Sequence, residues 1–431
     1  MKIIQSFWSK PAFHSNQGYT NSRKFGGWLN FRYFLVSTSF SCLTLRRHHK
    51  EIELYTDQGG YDILSKLLKL PYDNISLVLN SLDNEDHKLW ILGKIMAIKL
   101  QKKPFLHVDN DVYLWREFPV EPSADYLLAQ SAVPLSDVYR NSLNEVLLNF
   151  PHVPECLKVR PGDNAMITNV GIIGGNDIDF FQEFCEISSE LLEKNRDYIP
   201  LINNIGGFNQ IMEEYLFTAL SNLKGRKVNN LIDSSSDKRL YESVLRLGLT
   251  PIIYKYIHLV GLYKQNYYAC EQLELRFKHE FPQQYETFSE TIKEAYPELA
   301  KSDFSNARQV RLLAAIRKLY ACSLRDIQHM KIKLVDGIEL IESHDYVFSS
   351  DVIYAIKETN PDSGETIFKR MPFFLNEVSW LATFLKSPIT IMEIFEALKG
   401  KGIAENDDDL LLRITNAIAQ CVMMFGILEF V

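Results

Sequence analysis

Two carboxylates, Asp109 and Asp111, stand two residues apart directly after an apolar run that contains Phe105, Leu106 and Val108. The run predicts a buried strand, and side chains two apart in an extended chain point the same way, so both carboxylates can face one cation. Ligand sites in open α/β sheets lie at the carboxyl ends of strands, where a hard cation could clamp a diphosphate and neutralise it as it leaves. The alternative is a plain strand-ending turn, because Asp and Asn favour turns.

The elements that precede this pair alternate between strand and helix. Strands are predicted at Lys2–Trp8, Ile52–Thr56 and Ile75–Leu79, and helices at Trp28–His48, Tyr61–Leu70 and Lys88–Lys102. The last of these helices has a clear apolar face at helical spacing. Strands that alternate with helices predict a mostly parallel sheet with both faces covered, which is an α/β fold.

More polar groups follow in the next predicted elements. A strand at Ala165–Asp177 contains Asn169 and ends in a pair of glycines, which suit either the close approach of a ligand or a tight turn. A helix at Phe208–Leu220 carries Glu213 and Glu214, and an apolar strand, Ile252–Leu262, contains His258 and is followed by Lys264. Taken singly, these side chains also fit a core histidine, a solvated lysine and surface helix charges.

Four short motifs together resemble GT-A glycosyltransferases of the retaining, glycogenin type. The motifs are Asp109-Asn110-Asp111 for the family's Asp-x-Asp, His258-x-x-Gly261-x-x-Lys264 for its His-x-x-Gly-x-x-Lys, Asn169-Val170-Gly171 for its Asn-Ala-Gly strand, and Glu213-Glu214 for its acidic helix start. The alanine of that strand is valine here, and the glutamine of the helix motif is Glu214. Order and rough spacing agree over about residues 1–266.

The resemblance implies a Rossmann-like nucleotide-diphospho-sugar transferase domain at residues 1–266 and a role for each motif. Asp109, Asp111 and His258 would hold Mn²⁺ (or Mg²⁺), and the mixed carboxylate and imidazole set suits Mn²⁺. Donor-binding residues would be Asn169, Gly171 and Lys264, with the lysine on the diphosphate of a UDP-sugar. The catalytic group would be Asp109, Asp111, Glu213 and Glu214, and transfer would proceed with retention.

The last third of the chain changes character twice. Residues 267–330 are charged and amphipathic and predict a helical connector, whereas residues 331–431 predict strands followed by three helices, a small winged-helix α+β domain. Thr390 and Glu393 form a predicted capping box. The helix at Asp407–Met424 holds only one cation, Arg413, which argues against DNA binding.

This C-terminal segment resembles the peptide-recognition domain of enzymes that modify ribosomally made peptides, and the small peptide chaperone of pyrroloquinoline quinone biosynthesis. The resemblance is carried by Leu375-Asn376, by Ser387-Pro-Ile-Thr-Ile-Met-Glu-Ile394 and by Gly426-Ile-Leu-Glu429. It implies that a precursor peptide is bound as an added strand at a sheet edge. The alternative is a structural or dimerisation domain.

Composition excludes several other classes of protein. The 431 residues are 46% hydrophobic and 23% charged, and their net charge of −7 argues against wholesale nucleic-acid binding. The six cysteines are scattered, which fits a reducing cytosol. The most apolar early stretch, Phe34–Leu45, is interrupted by Ser and Thr and cannot span a bilayer, so we expect a soluble, cytoplasmic protein. The oligomeric state is open.

Three functional hypotheses follow. The first is a metal-dependent glycosyltransferase that moves a sugar from a nucleotide sugar to a ribosomally made peptide. The second is a scaffold or binding protein that keeps the GT-A fold without transfer. The third is a glycosyltransferase with a glycan or lipid acceptor.

Overall fold

A computed structural model describes most of the chain in two compact units. The described residues are 1–13, 25–28, 30–118, 126–160, 162, 164–232, 256–259, 261, 264, 267–299, 315, 318, 322–343, 353–359, 366–370, 381, 383–385, 387–404, 406–423 and 427–431. Unit 1 takes the described residues up to Gly261, and unit 2 takes those from Lys264 onward. The predicted domain boundaries at residues 266 and 330 stay predictions.

Unit 1 is built on a seven-stranded sheet in the order β3-β2-β1-β4-β7-β6-β8. Its strands are β1 (Lys2–Phe7), β2 (Ile52–Thr56), β3 (Asn74–Ser76), β4 (Phe105–Val108), β6 (Leu127–Pro134), β7 (Met166–Gly175) and β8 (Val228–Ile232). A second sheet pairs only β5 (Val112–Leu114) with β9 (Tyr256–His258).

The large sheet is parallel-rich. Strands β1 to β4 pair parallel to one another, and β6 pairs parallel to β8, while β7 runs antiparallel to both of its neighbours, β4 and β6. This mixed sheet is consistent with a GT-A-like domain, and the α/β prediction is confirmed at that level. The antiparallel strand β7 matters for the site, because it lies between β6 and β4, and β4 leads directly into Asp109 and Asp111.

Helices cover both faces of this sheet. They are α1 (Ser9–Phe13), α2 (Phe31–His48), α3 (Gln58–Tyr61), α4 (Leu92–Lys99), α5 (Asp137–Asn149), α6 (Glu155–Lys158), α7 (Ile178–Glu193), α8 (Ile205–Gln210) and α9 (Leu216–Leu223). Adjacent strand residues such as Ile3 and Ile4 enter different apolar clusters, since strand side chains alternate between faces. The sheet therefore has a core on each side.

Short π- and 3₁₀-helical segments complete unit 1, and two of them stand where the sequence predicts other elements. The predicted helix at Tyr61–Leu70 is α3 followed by a π-helix, Asp62–Leu67. The predicted strand at Ile75–Leu79 ends at Ser76 and gives way to a 3₁₀ helix, Val78–Leu82. A further 3₁₀ helix covers Arg196–Leu201. Short apolar runs do not distinguish a strand from a tight helical turn, because burial alone selects the same residue types.

Unit 2 contains helices and two small antiparallel sheets. The helices are α10 (Tyr267–Glu280), α11 (Pro282–Ala295), α12 (Leu324–His329), α13 (Ile391–Leu398) and α14 (Asp407–Met423), with a 3₁₀ turn at Pro297–Leu299. One sheet has the order β14-β10-β15 and the other β11-β12-β13. The strands are β10 (Lys331–Leu334), β11 (Ile338–Ser343), β12 (Ile353–Thr359), β13 (Thr366–Arg370), β14 (Ile389–Thr390) and β15 (Leu428–Phe430).

The capping box at the start of α13 is present as predicted. The Thr390 hydroxyl accepts from the Glu393 backbone N–H at 3.1 Å, and the Glu393 carboxylate accepts from the Thr390 backbone N–H at 2.7 Å. A winged-helix domain is not confirmed by this arrangement. Leu375, Asn376 and Gly426, which carry part of the peptide-domain resemblance, lie outside the described residues.

Within the described ranges, none of the helices has both the length and the apolar character that a bilayer span requires.

Candidate functional site

The Asp109-Asn110-Asp111 segment links the large sheet to the small one. It leaves the end of β4 with the Asp109 backbone N–H donating to the Gly171 carbonyl oxygen at 2.9 Å. The Asn110 side chain donates to the Ser6 carbonyl oxygen at 2.8 Å, which ties the segment to β1. The Val112 N–H donates back to the Asp109 carbonyl oxygen at 3.2 Å, so the segment is also a tight turn.

Pairing of β5 with β9 brings a distant histidine to this turn. Val112 is the register partner of His258, and the Leu259 N–H donates to the Asp111 carbonyl oxygen at 3.0 Å. One ligand atom from each of Asp109, Asp111 and His258 lies within 4.8 Å of the other two. The three side chains predicted to bind metal therefore lie together, although Asp111 and His258 are 147 positions apart in sequence (258 minus 111).

This set of donors fits a divalent cation. His258 Nε2 lies 3.2 Å from Asp111 Oδ1. A nitrogen lone pair and a carboxylate oxygen at that distance repel each other unless a proton or a cation lies between them. Two carboxylates and one imidazole form a ligand set that suits Mn²⁺, and such a set could hold the ion at this position.

The other ring nitrogen of His258 has a buried partner. Nδ1 lies 2.8 Å from the side-chain oxygen Oε1 of Gln130, a residue of β6 that is 3% exposed. Gly171 lies against the same ring, since a β-carbon built there would be 2.3 Å from the Cε1 atom of His258. The imidazole thus occupies space that only glycine leaves open.

A buried lysine, Lys94 of α4, joins the first aspartate to the acidic helix. Its Nζ lies 2.8 Å from Asp109 Oδ1, contacts the Glu213 carboxylate and donates to the Val170 carbonyl oxygen at 3.1 Å. Burial disfavours the ammonium charge, but Asp109 and Glu213 outweigh burial and raise the pKa of Lys94 above its ordinary value. Lys94 is therefore a fixed cation within the cluster.

The acidic pair, Glu213 and Glu214, lies on a π-helical segment, Ile211–Tyr215, between α8 and α9. Both side chains are buried: Glu213 contacts Lys94, and Glu214 accepts a hydrogen bond from the Tyr139 hydroxyl. Burial raises the pKa of Glu213 to about 8, with Lys94 opposing the shift and Asp109 adding to it. Burial also raises the pKa of Glu214, and the Tyr139 hydrogen bond opposes it.

A bulge in β7 holds these parts together through the backbone. Ala129 pairs with Ile173 and Ser131 with Asn169, so residues 170–172 of β7 face the single residue Gln130. The carbonyl groups of this bulge accept from Lys94 and from the Asp109 N–H, as described above. Bulges redirect side chains beside functional sites, and this one supplies backbone partners to the cluster.

The remaining predicted donor-binding residues are placed differently. Asn169 is 9% exposed, and its side-chain oxygen accepts from the Gly171 N–H at 3.1 Å, which steadies the bulge. Lys264 belongs to unit 2, where its carbonyl oxygen accepts from the Cys270 thiol at 3.2 Å. The metal and donor roles of all these residues stay predictions.

Sequence reasoning missed four residues of the cluster: Lys94, His107, Gln130 and Tyr139. His107 Nε2 lies 2.8 Å from the Ser6 hydroxyl, and burial followed by the charge of Lys94 lowers the pKa of His107 well below its ordinary value. Lys94 had a detectable signal, since it interrupts the apolar face of a short helix directly after a glycine. The other three lie in ordinary strand or helix patterns.

A comparison with known protein families finds a match over most of the chain. The profile of DUF6734, a family of unknown function, matches residues 1–291. The chain belongs to this family. The matched part of the chain contains Asp109, Asp111 and His258, and also Lys94, Glu213 and Glu214. No curated protein matches the chain.

Solved structures of two glycosyltransferases resemble the chain at low sequence identity. The glycosyltransferase GlyE of Streptococcus pneumoniae TIGR4 is 13% identical over 60% of this chain and 55% of that one, with a TM-score of 0.30. Mouse xyloside xylosyltransferase 1, in its apo form, is 10% identical over 53% of this chain and 84% of that one, with a TM-score of 0.27. The chain thus spans about half the length of GlyE.

Proposed function

We propose that the protein is a metal-dependent glycosyltransferase that uses a nucleotide sugar as donor. The observation that carries this proposal is the grouping of Asp109, Asp111 and His258 within 4.8 Å of one another at the carboxyl end of β4. The segment that follows β4 and the strand β9 meet at this position. The carboxyl ends of strands are where parallel α/β sheets bind their ligands. The motif resemblance to retaining GT-A enzymes gives the same assignment.

The charge balance of the cluster supports a cation. The cluster holds four carboxyl groups, those of Asp109, Asp111, Glu213 and Glu214, beside the ammonium of Lys94. Burial raises the pKa values of Asp109, Glu213 and Glu214, so protons compensate part of the negative charge when no metal is bound. A buried excess of negative charge is unfavourable unless a cation or protons compensate it. A divalent ion held by Asp109, Asp111 and His258 would supply that compensation and would also stabilise the charge on a departing diphosphate.

The chain's own residues have distinct parts in this proposal. Lys94 contacts both Asp109 and Glu213, and it would hold the Asp109 carboxylate in place for metal binding. Glu213 and Glu214 border the donor sugar, as the family resemblance implies, and Tyr139 fixes the Glu214 carboxylate. A UDP-sugar is the donor that the resemblance favours.

We also propose that the acceptor is a ribosomally made peptide recruited by residues 331–431. This proposal rests on the motif resemblance, of which the Thr390–Glu393 capping box lies in the described part. Among the described residues, the short strand β15 is an edge strand that pairs with β10 alone, and its other edge could accept an added strand. A glycan or lipid acceptor, and a scaffold without transfer, are the competing hypotheses.

Donor turnover tests the enzymatic proposal directly. The protein is incubated with a panel of UDP- and GDP-sugars, with Mn²⁺ and without it, and free nucleotide is measured. We expect slow, Mn²⁺-dependent hydrolysis of one donor, lost in Asp111→Asn. If no donor is hydrolysed, the hypothesis of a scaffold without transfer is favoured. If hydrolysis is equally fast with and without Mn²⁺, the proposed metal role of Asp109, Asp111 and His258 is contradicted.

A further inference from the structure

Gln130 is the partner of His258 on the side of the ring that faces away from Asp111. We infer that Gln130 is a positioning residue, which fixes the tautomer and orientation of His258 and so sets the preference of the cluster for Mn²⁺ over Mg²⁺. This inference rests on the proposed metal site and adds to it a residue that no sequence motif identifies.

The first step of the argument concerns the proton on the ring. The amide oxygen of Gln130 lies 2.8 Å from Nδ1 of His258, and an amide oxygen can only accept a hydrogen bond. Nδ1 must therefore carry a proton. In the neutral ring Nε2 then keeps its lone pair, and Nε2 is the atom that lies 3.2 Å from Asp111 Oδ1. Histidines that bind metals commonly donate their second nitrogen to such a partner.

The second step concerns the freedom of the ring. On one side, a β-carbon at Gly171 would lie 2.4 Å from His258 Nδ1 and 2.8 Å from Gln130 Oε1. Gly171 therefore packs against both members of the pair. Gln130 itself is 3% exposed, and its backbone carbonyl oxygen accepts from the Tyr256 hydroxyl at 3.1 Å. Tyr256 belongs to the same strand as His258, so Gln130 holds β9 at two points, one through its side chain and one through its backbone.

The third step concerns the choice of metal. Mg²⁺ prefers oxygen ligands and binds imidazole poorly, whereas Mn²⁺ accepts a mixture of carboxylate and imidazole. The nitrogen of His258 is the only one of the three candidate ligand atoms in the described cluster that separates the two ions. A residue that controls the direction of that nitrogen therefore controls selectivity, while the two carboxylates supply the affinity that both ions share.

Three variants of the full-length protein test the inference. Gln130→Ala removes the acceptor for Nδ1–H. Gln130→Glu keeps an oxygen that can accept the hydrogen bond from Nδ1 of His258, and a carboxylate is the stronger acceptor. It also places a new charge in a buried position, so it would be harmful if Gln130 served only to fill space. Gln101→Ala is the matched control, because Gln101 is also buried, at 1% exposure, and its side chain donates to the Ala97 carbonyl oxygen instead of to the cluster.

The readouts are metal binding and the identity of the ligands, both measured without turnover. The affinities of the protein for Mn²⁺ and for Mg²⁺ are measured in the presence of UDP. Electron spin-echo envelope modulation (ESEEM) then reports, through its ¹⁴N signal, whether an imidazole binds the Mn²⁺. In Gln130→Ala we expect Mn²⁺ affinity to fall by about 10- to 100-fold, Mg²⁺ affinity to change less, and the ¹⁴N signal to weaken or vanish. Gln130→Glu and Gln101→Ala should keep both the affinity and the signal.

The outcomes separate this inference from the proposed function. If the unaltered protein binds no Mn²⁺ with UDP, both are overturned. If it binds Mn²⁺ with a ¹⁴N signal that Gln130→Ala retains, only the positioning role is overturned. Loss of the ¹⁴N signal in both Gln130→Glu and Gln130→Ala would also overturn the positioning role. It would show that an acceptor for the Nδ1–H group of His258 is not enough to keep the imidazole bound to Mn²⁺.

Discussion

At the scale of single residues, Lys94 is the cation on which two carboxylates depend, that of half-buried Asp109 and that of buried Glu213. It is 7% exposed and contacts both Asp109 and Glu213. Removing one partner from a buried ionic group leaves the others uncompensated, which commonly costs about 3–5 kcal/mol. The cluster is therefore expected to be sensitive to loss of this one side chain in stability as well as in ligand binding.

Lys94→Met tests that dependence. We expect the free energy of unfolding to fall by about 3–5 kcal/mol in a denaturant titration, because two carboxylates would face each other without a cation. Lys99→Met, which removes an exposed lysine from the same helix, should change it little. Glu213→Gln added to Lys94→Met should recover part of the loss. Equal stability of Lys94→Met and the unaltered protein would contradict the ionic role.

Gly171 is predicted to be irreplaceable for reasons of space. In Gly171→Ala the new methyl group would meet His258 at 2.3 Å and must displace the ring. We expect Mn²⁺ affinity to fall by about 10- to 100-fold, as when the support of a ligand is lost. Gly162→Ala is the control, since no atom lies within 4 Å of a β-carbon built there. Unchanged Mn²⁺ binding in Gly171→Ala would remove His258 from the ligand set.

At the scale of elements, the residue that directly follows helix α2 is His49, a histidine whose charge is disfavoured. His49 stacks on Phe118 with ring centroids 5.5 Å apart. Burial lowers the pKa of His49 to about 4, and nearby Glu117 opposes the shift. An exposed histidine titrates near pH 6.5. The folded state therefore favours the neutral ring, which contributes stability above about pH 6.5 that is lost as the pH falls toward 4.

His49→Phe removes this titration and keeps a ring over Phe118. We expect the melting temperature of the unaltered protein to fall more steeply than that of His49→Phe between pH 7 and pH 4.5. His152→Phe, at an exposed histidine, is the control and should follow the unaltered protein. Parallel pH profiles for all three proteins would show that His49 is not the buried neutral group proposed here.

The elements also show where sequence patterns were sufficient. The helix predicted at Asp407–Met424 is found as α14 at Asp407–Met423, and it opens with three aspartates, which favour a helix amino terminus. The π segment at Ile211–Tyr215 was predicted only as ordinary helix. A π turn and an α turn bury similar residues, so periodicity does not separate them. Glu213 and Glu214 lie on this turn and contact different partners, Lys94 and Tyr139.

The candidate site could be predicted only in part, for a related reason. The aspartate pair and His258 have motif spacings that can be found in a sequence. Lys94 is recognised as part of the site only through partners such as Val170, which lies 76 positions away in sequence. Gln130 is recognised only through His258, 128 positions away, and the segments around both residues follow ordinary patterns. Contacts of that range depend on sheet order and on the bulge in β7, and neither follows from local spacing.

At the scale of the whole molecule, the proposal assigns catalysis to residues 1–266 and peptide recruitment to residues 331–431. Deleting residues 331–431 should abolish modification of a precursor peptide and leave donor hydrolysis intact. Product mass spectrometry and nucleotide release measure the two activities, and circular dichroism checks that the shortened chain is folded. Peptide modification that survives the deletion would contradict the recruiting role and would favour another acceptor-binding surface.

The most direct test of the central claim is calorimetric titration of UDP into the protein with and without Mn²⁺. We predict tight binding only when Mn²⁺ is present, because Asp109, Asp111 and His258 would hold the ion that receives the diphosphate. Asp111→Ala should lose this binding and remain folded. Failure to bind UDP or GDP with Mn²⁺, or equal affinity without metal, would contradict the account.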